Sequence, residues 1–172
     1  MSFDSAGDRI LEPLRTNKIT NTVFGIASTV GDFSILWHIT GLLYAIGSMQ
    51  RLHQAIALSC ALGAESIIVN QGVKRIFRRE RPTVSGDDRF DVRTPSTSSF
   101  PSGHASSATV AAIILIWMTG FPLAILWIIM AGVVALSRVV VRIHHLSDIV
   151  GGVITGAVLG AIVVPIISSI LG

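Results

Sequence analysis

Residues 122–170 read PLAILWIIMAGVVALSRVVVRIHHLSDIVGGVITGAVLGAIVVPIISSI. Two apolar runs, 122–142 and 147–170, flank a short junction that holds His144 and His145, and Asp148 stands at the start of the second run. An α-helix needs about 20 predominantly apolar residues to cross roughly 30 Å of hydrocarbon. Both runs reach that length, so the stretch predicts two membrane spans with ionisable groups where they meet. Such groups are costly at membrane depth, and their presence at span ends is a functional hypothesis by default.

Working outward, apolar segments at 30–49, 53–73 and 103–120 predict three further spans. The first is the least regular, because residues 19–47 are apolar with Asp32 inside; it reads as a re-entrant or interfacial stretch joined to a true span. Residues 8–19, DRILEPLRTNKI, put Ile10, Leu11 and Leu14 on one helical face with Arg, Lys and Glu elsewhere. That is the pattern of a helix lying in the interface. The expected fold is all-α: a polytopic transmembrane helical bundle of about five spans plus an N-terminal interfacial helix within residues 1–20. Residues 1–172 read as a single membrane-embedded domain, with the polar stretch 83–102 as a loop over the site.

Composition points the same way. The chain is 51% hydrophobic and only 13% charged, against about 25% charged in soluble domains. The first residues, MSFDSAGD, are polar and acidic and do not read as a cleavable leader. One cysteine, Cys60, excludes a disulfide framework and is expected as a small buried hydrophobe. Gly152, Gly156 and Gly160 recur at four-residue spacing, which lets helix backbones approach closely. A seam inside this bundle is the expected use, with a dimer seam as the alternative. The net charge of +3 sits in clusters beside spans, with no aromatic interleaving or helix-turn-helix pattern. That excludes nucleic acid as the partner and favours anionic lipid headgroups.

With five spans, three polar stretches fall on one membrane face. KRIFRRERP (74–82) ends the second span, PSGH (101–104) opens the third, and SRVVVRIHHLSD (137–148) joins the fourth to the fifth. Cations with a His–Asp pair suit a phosphate-handling nucleophile site. A neutral imidazole can attack phosphorus and hold the phosphoryl group covalently, provided a partner fixes its tautomer. Asp148 lies one helical turn from His144, and His145 is a rival on spacing alone. His104 suits acid–base duty, since the ordinary imidazole pKa is about 6.5. Lys74 and Arg81 are seven residues apart and share a face if the helix persists, and Arg138 joins them from another span. Their charges match the non-bridging phosphate oxygens, where phosphoryl transfer most needs help. Ser102 and Gly103 open a helix, whose free N–H groups and dipole attract anions. Pro82 reads as a helix terminator.

These stretches, in this order, resemble the signature of the type 2 phosphatidic acid phosphatase superfamily: K-x6-R-P, then P-S-G-H, then S-R-x5-H-x3-D. Lys74, Arg81 and Pro82 fit the first part; Pro101, Ser102, Gly103 and His104 the second; Ser137, Arg138, His144 and Asp148 the third. No position departs from the pattern, and the resemblance covers roughly residues 50–170. It implies a metal-free, cofactor-free membrane phosphatase acting on a lipid phosphomonoester. His144, rather than His145, is then the nucleophile, Asp148 its orienting partner and His104 the general acid. Lys74, Arg81, Ser102, Gly103 and Arg138 are then the phosphate-binding set. Substrates implied by the resemblance are phosphatidic acid, phosphatidylglycerophosphate, polyprenyl diphosphates and polyprenyl-linked sugar phosphates such as decaprenylphosphoryl-5-phosphoribose. The superfamily's vanadium-dependent haloperoxidases are soluble and larger, which this composition argues against. A lipid phosphotransferase and a non-catalytic lipid-binding membrane protein stand as alternatives; binding alone needs only the cations.

The remaining polar residues are weighed separately. Glu65 and Asn70 lie in the second span upstream of Lys74, fit either to orient it or to bond between helices; His38 and Asp32 carry weaker signals. Trp37, Trp117 and Trp127 are expected to pack against lipid or neighbouring helices. His104, His144, His145 and Asp148 offer metal ligands, but a pocket lined by cations repels a divalent ion. Arg9, Arg15, Lys18, Arg75, Arg78, Arg79, Arg89, Arg93 and Arg142 share the motif side, and Arg51 stands opposite. The positive-inside rule then puts the site at the cytoplasmic face, and the small size and minimal loops, which resemble bacterial members of the superfamily, imply a bacterial inner membrane.

Overall fold

The computed structural model describes residues 2–82 and 93–171. Its helices, in chain order, are α1 (Phe3–Thr16), α2 (Lys18–Val30), α3 (Ile35–Tyr44), α4 (Met49–Ile76), α5 (Gly103–Thr119), α6 (Leu123–Val140) and α7 (Leu146–Leu171). The fold is all-α, as the long apolar segments predict.

Helix α5 is the axis of the bundle, with ten of its residues buried between Ala105 and Met118. Small residues line its first turns, and α7 closes on it in parallel through glycine. A Cβ on Gly152 would lie 2.5 Å from the Ser102 carbonyl oxygen, and one on Gly160 would meet Ile113 at 2.8 Å. The glycine spacing therefore serves a seam inside the bundle. Helix α3 runs antiparallel to α4: His38 bonds Ser59 at 2.9 Å, and Gly41 lies against Leu58 and Ala55. Trp37 is fully buried with Leu58 and Leu62, and the Trp127 indole donates to Thr119 Oγ1 at 2.9 Å.

Three helices, α4, α6 and α7, are long and apolar enough to cross a membrane, and α2 with α3, bent by 64°, passes the same test only when the pair is taken together as one span. Helix α5 is shorter, at 17 residues, which corresponds to roughly 25 Å. The segment expected as a first span at 30–49 coincides with the second half of this bent pair, which begins at Lys18. Its break passes through Phe33 and Ser34, both with left-handed φ (53° and 59°), a conformation costly for residues other than glycine.

The N-terminal helix α1 leaves Ile10 73% exposed, while Arg15 is buried. Arg15 donates to the carbonyls of Val139 and Val140 at the end of α6 and pairs with Asp8 and Glu12. Helix C-termini leave carbonyls unmet, and this guanidinium meets two of them.

Two expectations need correction. Cys60 is exposed on α4 rather than buried. Lys74 and Arg81 do not share a helix face, because α4 ends at Ile76 and Arg81 is carried by the non-helical chain that follows. Of the polar stretch 83–102, residues 83–92, including Arg89, lie outside the described residues.

Candidate active site

The end of α4, the start of α5 and the α6–α7 turn meet at one end of the bundle, and so bring together the eight residues expected from sequence. The turn is tight. The N–H groups of Ile143 and His144 both reach the Arg138 carbonyl at 3.0 Å, and Arg142 takes a left-handed φ of 57°. This throws His144 back over the start of α7, where Asp148 waits one turn on.

Asp148 is fully buried and heavily engaged. Its Oδ2 accepts from Ser99 Oγ at 2.5 Å and from the His145 N–H at 2.9 Å, and lies 3.4 Å from His144 Nδ1. Its Oδ1 accepts from Arg79 at 2.6 Å. His145 thus contributes its backbone to the site. On the other side of the imidazole, Arg81 Nη1 stands 3.2 Å from His144 Nε2. Guanidinium only donates, so Nε2 is the acceptor and the ring proton sits on Nδ1, facing Asp148. Burial holds the His144 imidazole down at about 3; the Asp148 bond opposes this, and Arg81, Arg138 and Lys74 reinforce it. A neutral ring with its lone pair among cations results.

Arg81 is fixed by backbone, donating to the carbonyls of Thr97, Ser98 and Ile143. Burial lowers its pKa to about 10, still leaving it charged at neutral pH. Lys74 is 7% exposed and Arg138 only 1%. Arg138 Nη1 donates to Ser28 Oγ, whereas its Nε and Nη2 have no hydrogen-bond partner among the described residues. Buried guanidinium donors left unmet are expensive, and here they call for an anion. Ser102 caps α5, its Oγ accepting from Ala105 N at 3.4 Å and its own N–H reaching the Asp148 carbonyl at 3.0 Å. Gly103 lies under Lys74: a Cβ there would meet Asn70 Oδ1 at 3.3 Å and Lys74 Nζ at 3.5 Å.

His104 belongs to a second His–Asp pair. Its Nε2 lies 3.1 Å from Asp32 Oδ1 and 3.2 Å from the Ser28 carbonyl. The kink after Gly31 presents Asp32, and a Cβ on Gly31 would strike the His104 ring at 2.8 Å. On sequence alone Asp32 carries a weak signal, and nothing distinguishes Arg79 or Ser99 as site residues. The left-handed pair at Phe33 and Ser34 leaves no sequence signal, and Arg79 looks like one more cation in a basic run. Among the described residues no group of three or more His, Cys, Asp or Glu side chains converges to hold a metal. His104, Lys74, Arg138 and His144 line one cavity of about 490 Å³.

The family model described as the PAP2 superfamily matches residues 54–170. The chain belongs to that superfamily. Two curated PAP2 relatives are named decaprenylphosphoryl-5-phosphoribose phosphatase. The one from Mycobacterium tuberculosis is 39% identical over 137 residues, 79% of this chain and 74% of the relative. The one from Mycolicibacterium smegmatis is 42% identical over 95 residues, 54% of this chain and 51% of that relative. A crystal structure of a transmembrane PAP2-type phosphatidylglycerolphosphate phosphatase from Bacillus subtilis shares the fold. Its TM-score is 0.67 at 23% identity, over 96% of this chain and 86% of that one. This PAP2 chain is an integral membrane lipid phosphatase, a phosphoric monoester hydrolase.

Proposed function

We propose that this PAP2 protein removes the terminal phosphate from a polyprenyl-linked sugar phosphate such as decaprenylphosphoryl-5-phosphoribose, the substrate in its relatives' names. In this reading residues 1–172 act as one catalytic domain in a bacterial inner membrane, with the site at the cytoplasmic face. Phosphatidylglycerophosphate is the second reading, favoured by the likeness to the Bacillus subtilis enzyme in fold.

The observation that carries the mechanism is the His144 lone pair among three buried cations, one of them with donors that meet no partner among the described residues. His144 Nε2 attacks phosphorus as Arg81 moves from the ring to a non-bridging oxygen. Lys74, the Arg138 Nε and Nη2 donors and the helix start at Ser102–Gly103 take the remaining phosphate charge. The P–O bond to the sugar breaks, and His104 gives its proton to the leaving alkoxide. Asp32 and Ser28 occupy Nε2 of His104, so Nδ1 is the atom that serves the alkoxide. Asp148 holds the Nδ1 proton of His144 and steadies the cationic phosphohistidine. Water, deprotonated by His104, then attacks phosphorus, the N–P bond breaks and inorganic phosphate leaves.

The test is phosphate release by the purified protein in detergent with EDTA, across the candidate lipid phosphates. Release fastest from the pentose phosphate lipid is expected, with His144→Ala slower by on the order of 10⁴-fold or more. Faster release from phosphatidylglycerophosphate would favour the second reading. Activity surviving in His144→Ala would overturn the nucleophile, and loss of activity with EDTA would overturn metal independence.

A further inference from the structure

The cavity is larger than a phosphoryl group requires. About 490 Å³ is the scale of sites that enclose a whole small molecule. Beside the reaction centre it is walled by His38 of α3 and by Leu62, Gly63, Glu65 and Ser66 of α4. The mechanism uses none of these side chains.

Glu65 is the anomaly in that wall. It is 4% exposed, lines the cavity, and its Oε1 has no hydrogen-bond partner among the described residues. A buried carboxylate oxygen left unmet is costly, so the wall is built for something that donates to it. A second phosphate would be repelled by the carboxylate. A cation would be repelled by Lys74 and Arg138, which line the same cavity. An acyl or prenyl chain would leave Oε1 unsatisfied. An alcohol O–H satisfies all three constraints.

The backbone supplies an independent observation. Glu65 and Lys74 are nine residues apart, about two and a half turns of α-helix, which would put them on opposite faces. Between them α4 passes through a seven-residue π-helical stretch, Ile67–Val73. Its i→i+5 bonds hold more residues per turn, and such insertions occur mostly at functional sites. The altered winding lets Glu65 and Lys74 line one cavity. Lys74 and Glu65 are thereby set on one surface.

We propose that this arm is a headgroup subsite in which Glu65 accepts hydrogen bonds from the hydroxyls of the leaving alcohol. It selects phosphate monoesters of hydroxyl-bearing, sugar-like headgroups over the hydroxyl-free diacylglycerol ester. The inference rests on the phosphatase site assigned above and gives that site its specificity.

The experiment uses the full chain in detergent, with the lipid phosphate it cleaves fastest as reporter. Ribose 5-phosphate and pentyl phosphate, which lacks free hydroxyls, are compared as competitors. Wild type is expected to bind ribose 5-phosphate ten-fold or more tightly than pentyl phosphate. Glu65→Leu should bring that ratio close to one, and Glu65→Gln, which keeps one acceptor oxygen, should retain part of it. Gly63→Leu is the second variant. A Cβ at Gly63 meets nothing within 4 Å, so the added side chain enters the arm without displacing backbone. It too should collapse the ratio. A wild type indifferent to hydroxyls, or a ratio unchanged in folded Gly63→Leu, overturns the subsite. If the ratio behaves as expected but the pentose lipid is not cleaved, the substrate proposal falls and the subsite stands. The reverse pattern keeps the substrate and removes the subsite.

Discussion

At the scale of single residues, Asp148 concentrates the site's order. Ser99, Arg79, the His145 N–H and the His144 ring all converge on its two oxygens. Partners that orient a reacting group typically contribute 10–100-fold. Ser99→Ala and Arg79→Met are therefore each expected to lower kcat by about 10–100-fold with little change in KM. Steady-state kinetics on the preferred lipid checks this, and a change confined to KM would place both residues in substrate binding. His144 supplies a second expectation. Its folded pKa, near 3, lies below the ordinary 6.5, so between those values the unfolded chain takes up a proton that the folded chain refuses. Stability gained from the neutral ring is present above about pH 6.5 and is lost as pH falls toward 3. The melting midpoint in detergent should drop over that window, and the drop should be shallower in His144→Gln. Equal slopes would mean that His144 titrates normally in the fold.

At the scale of elements, glycines in similar apolar helices do opposite work. On α7, Gly152 abuts the Ser102 carbonyl and Ala105, and Gly156 abuts Ser106 and Thr109. A methyl at Gly152 pushes α7 from the start of α5, where Ser102, Gly103 and His104 sit. Overpacking of this kind costs about 1–3 kcal/mol, and here it also shifts the phosphate cradle. Gly132 of α6 has nothing within 4 Å of a new Cβ, so Gly132→Ala should gain up to about 1 kcal/mol of helix propensity. Thermal melts with activity separate the two: Gly152→Ala is expected to lose both, Gly132→Ala neither. The four-residue glycine repeat made this seam legible in sequence, because the spacing matches a helix face. The path from Lys74 to Arg81 was not legible. Its seven-residue spacing suggested a shared face, but the helix stops at Ile76, and no residue pattern marks the π-helical stretch before it. Asp32 was obscured for a related reason: an acid in an apolar run shows its role only once the kink at Phe33 and Ser34 turns it toward His104.

At the scale of the whole molecule, membrane orientation is the expectation that tests the reading of charge. The sequence has 13 Lys and Arg, and Arg51 alone sits near the α3–α4 turn, at the end of the bundle away from the site. Part of that asymmetry is structural. Arg15 caps α6, and Arg79 joins Asp148 to Asp4, whose carboxyl burial pushes up but Ser147 and Arg79 hold below its usual range. Arg81 and Arg138 face the cavity end of the fold. With those four set aside, Arg9, Lys18, Arg75 and Arg78 still outnumber Arg51, and the rule counts Lys and Arg near span ends rather than net charge. The site end is therefore expected to face the cytoplasm. Replacing Cys60 by serine clears the background thiol. Arg51→Cys and Arg78→Cys, both at exposed positions, then report the two ends to a membrane-impermeant maleimide. Labelling of Arg51→Cys in intact cells, with Arg78→Cys labelled only after permeabilisation, would support the assignment. The opposite pattern would turn the protein over. The cations at the site end would then be there for phosphate and helix ends alone, and the lipid phosphate would have to be presented on the outer surface.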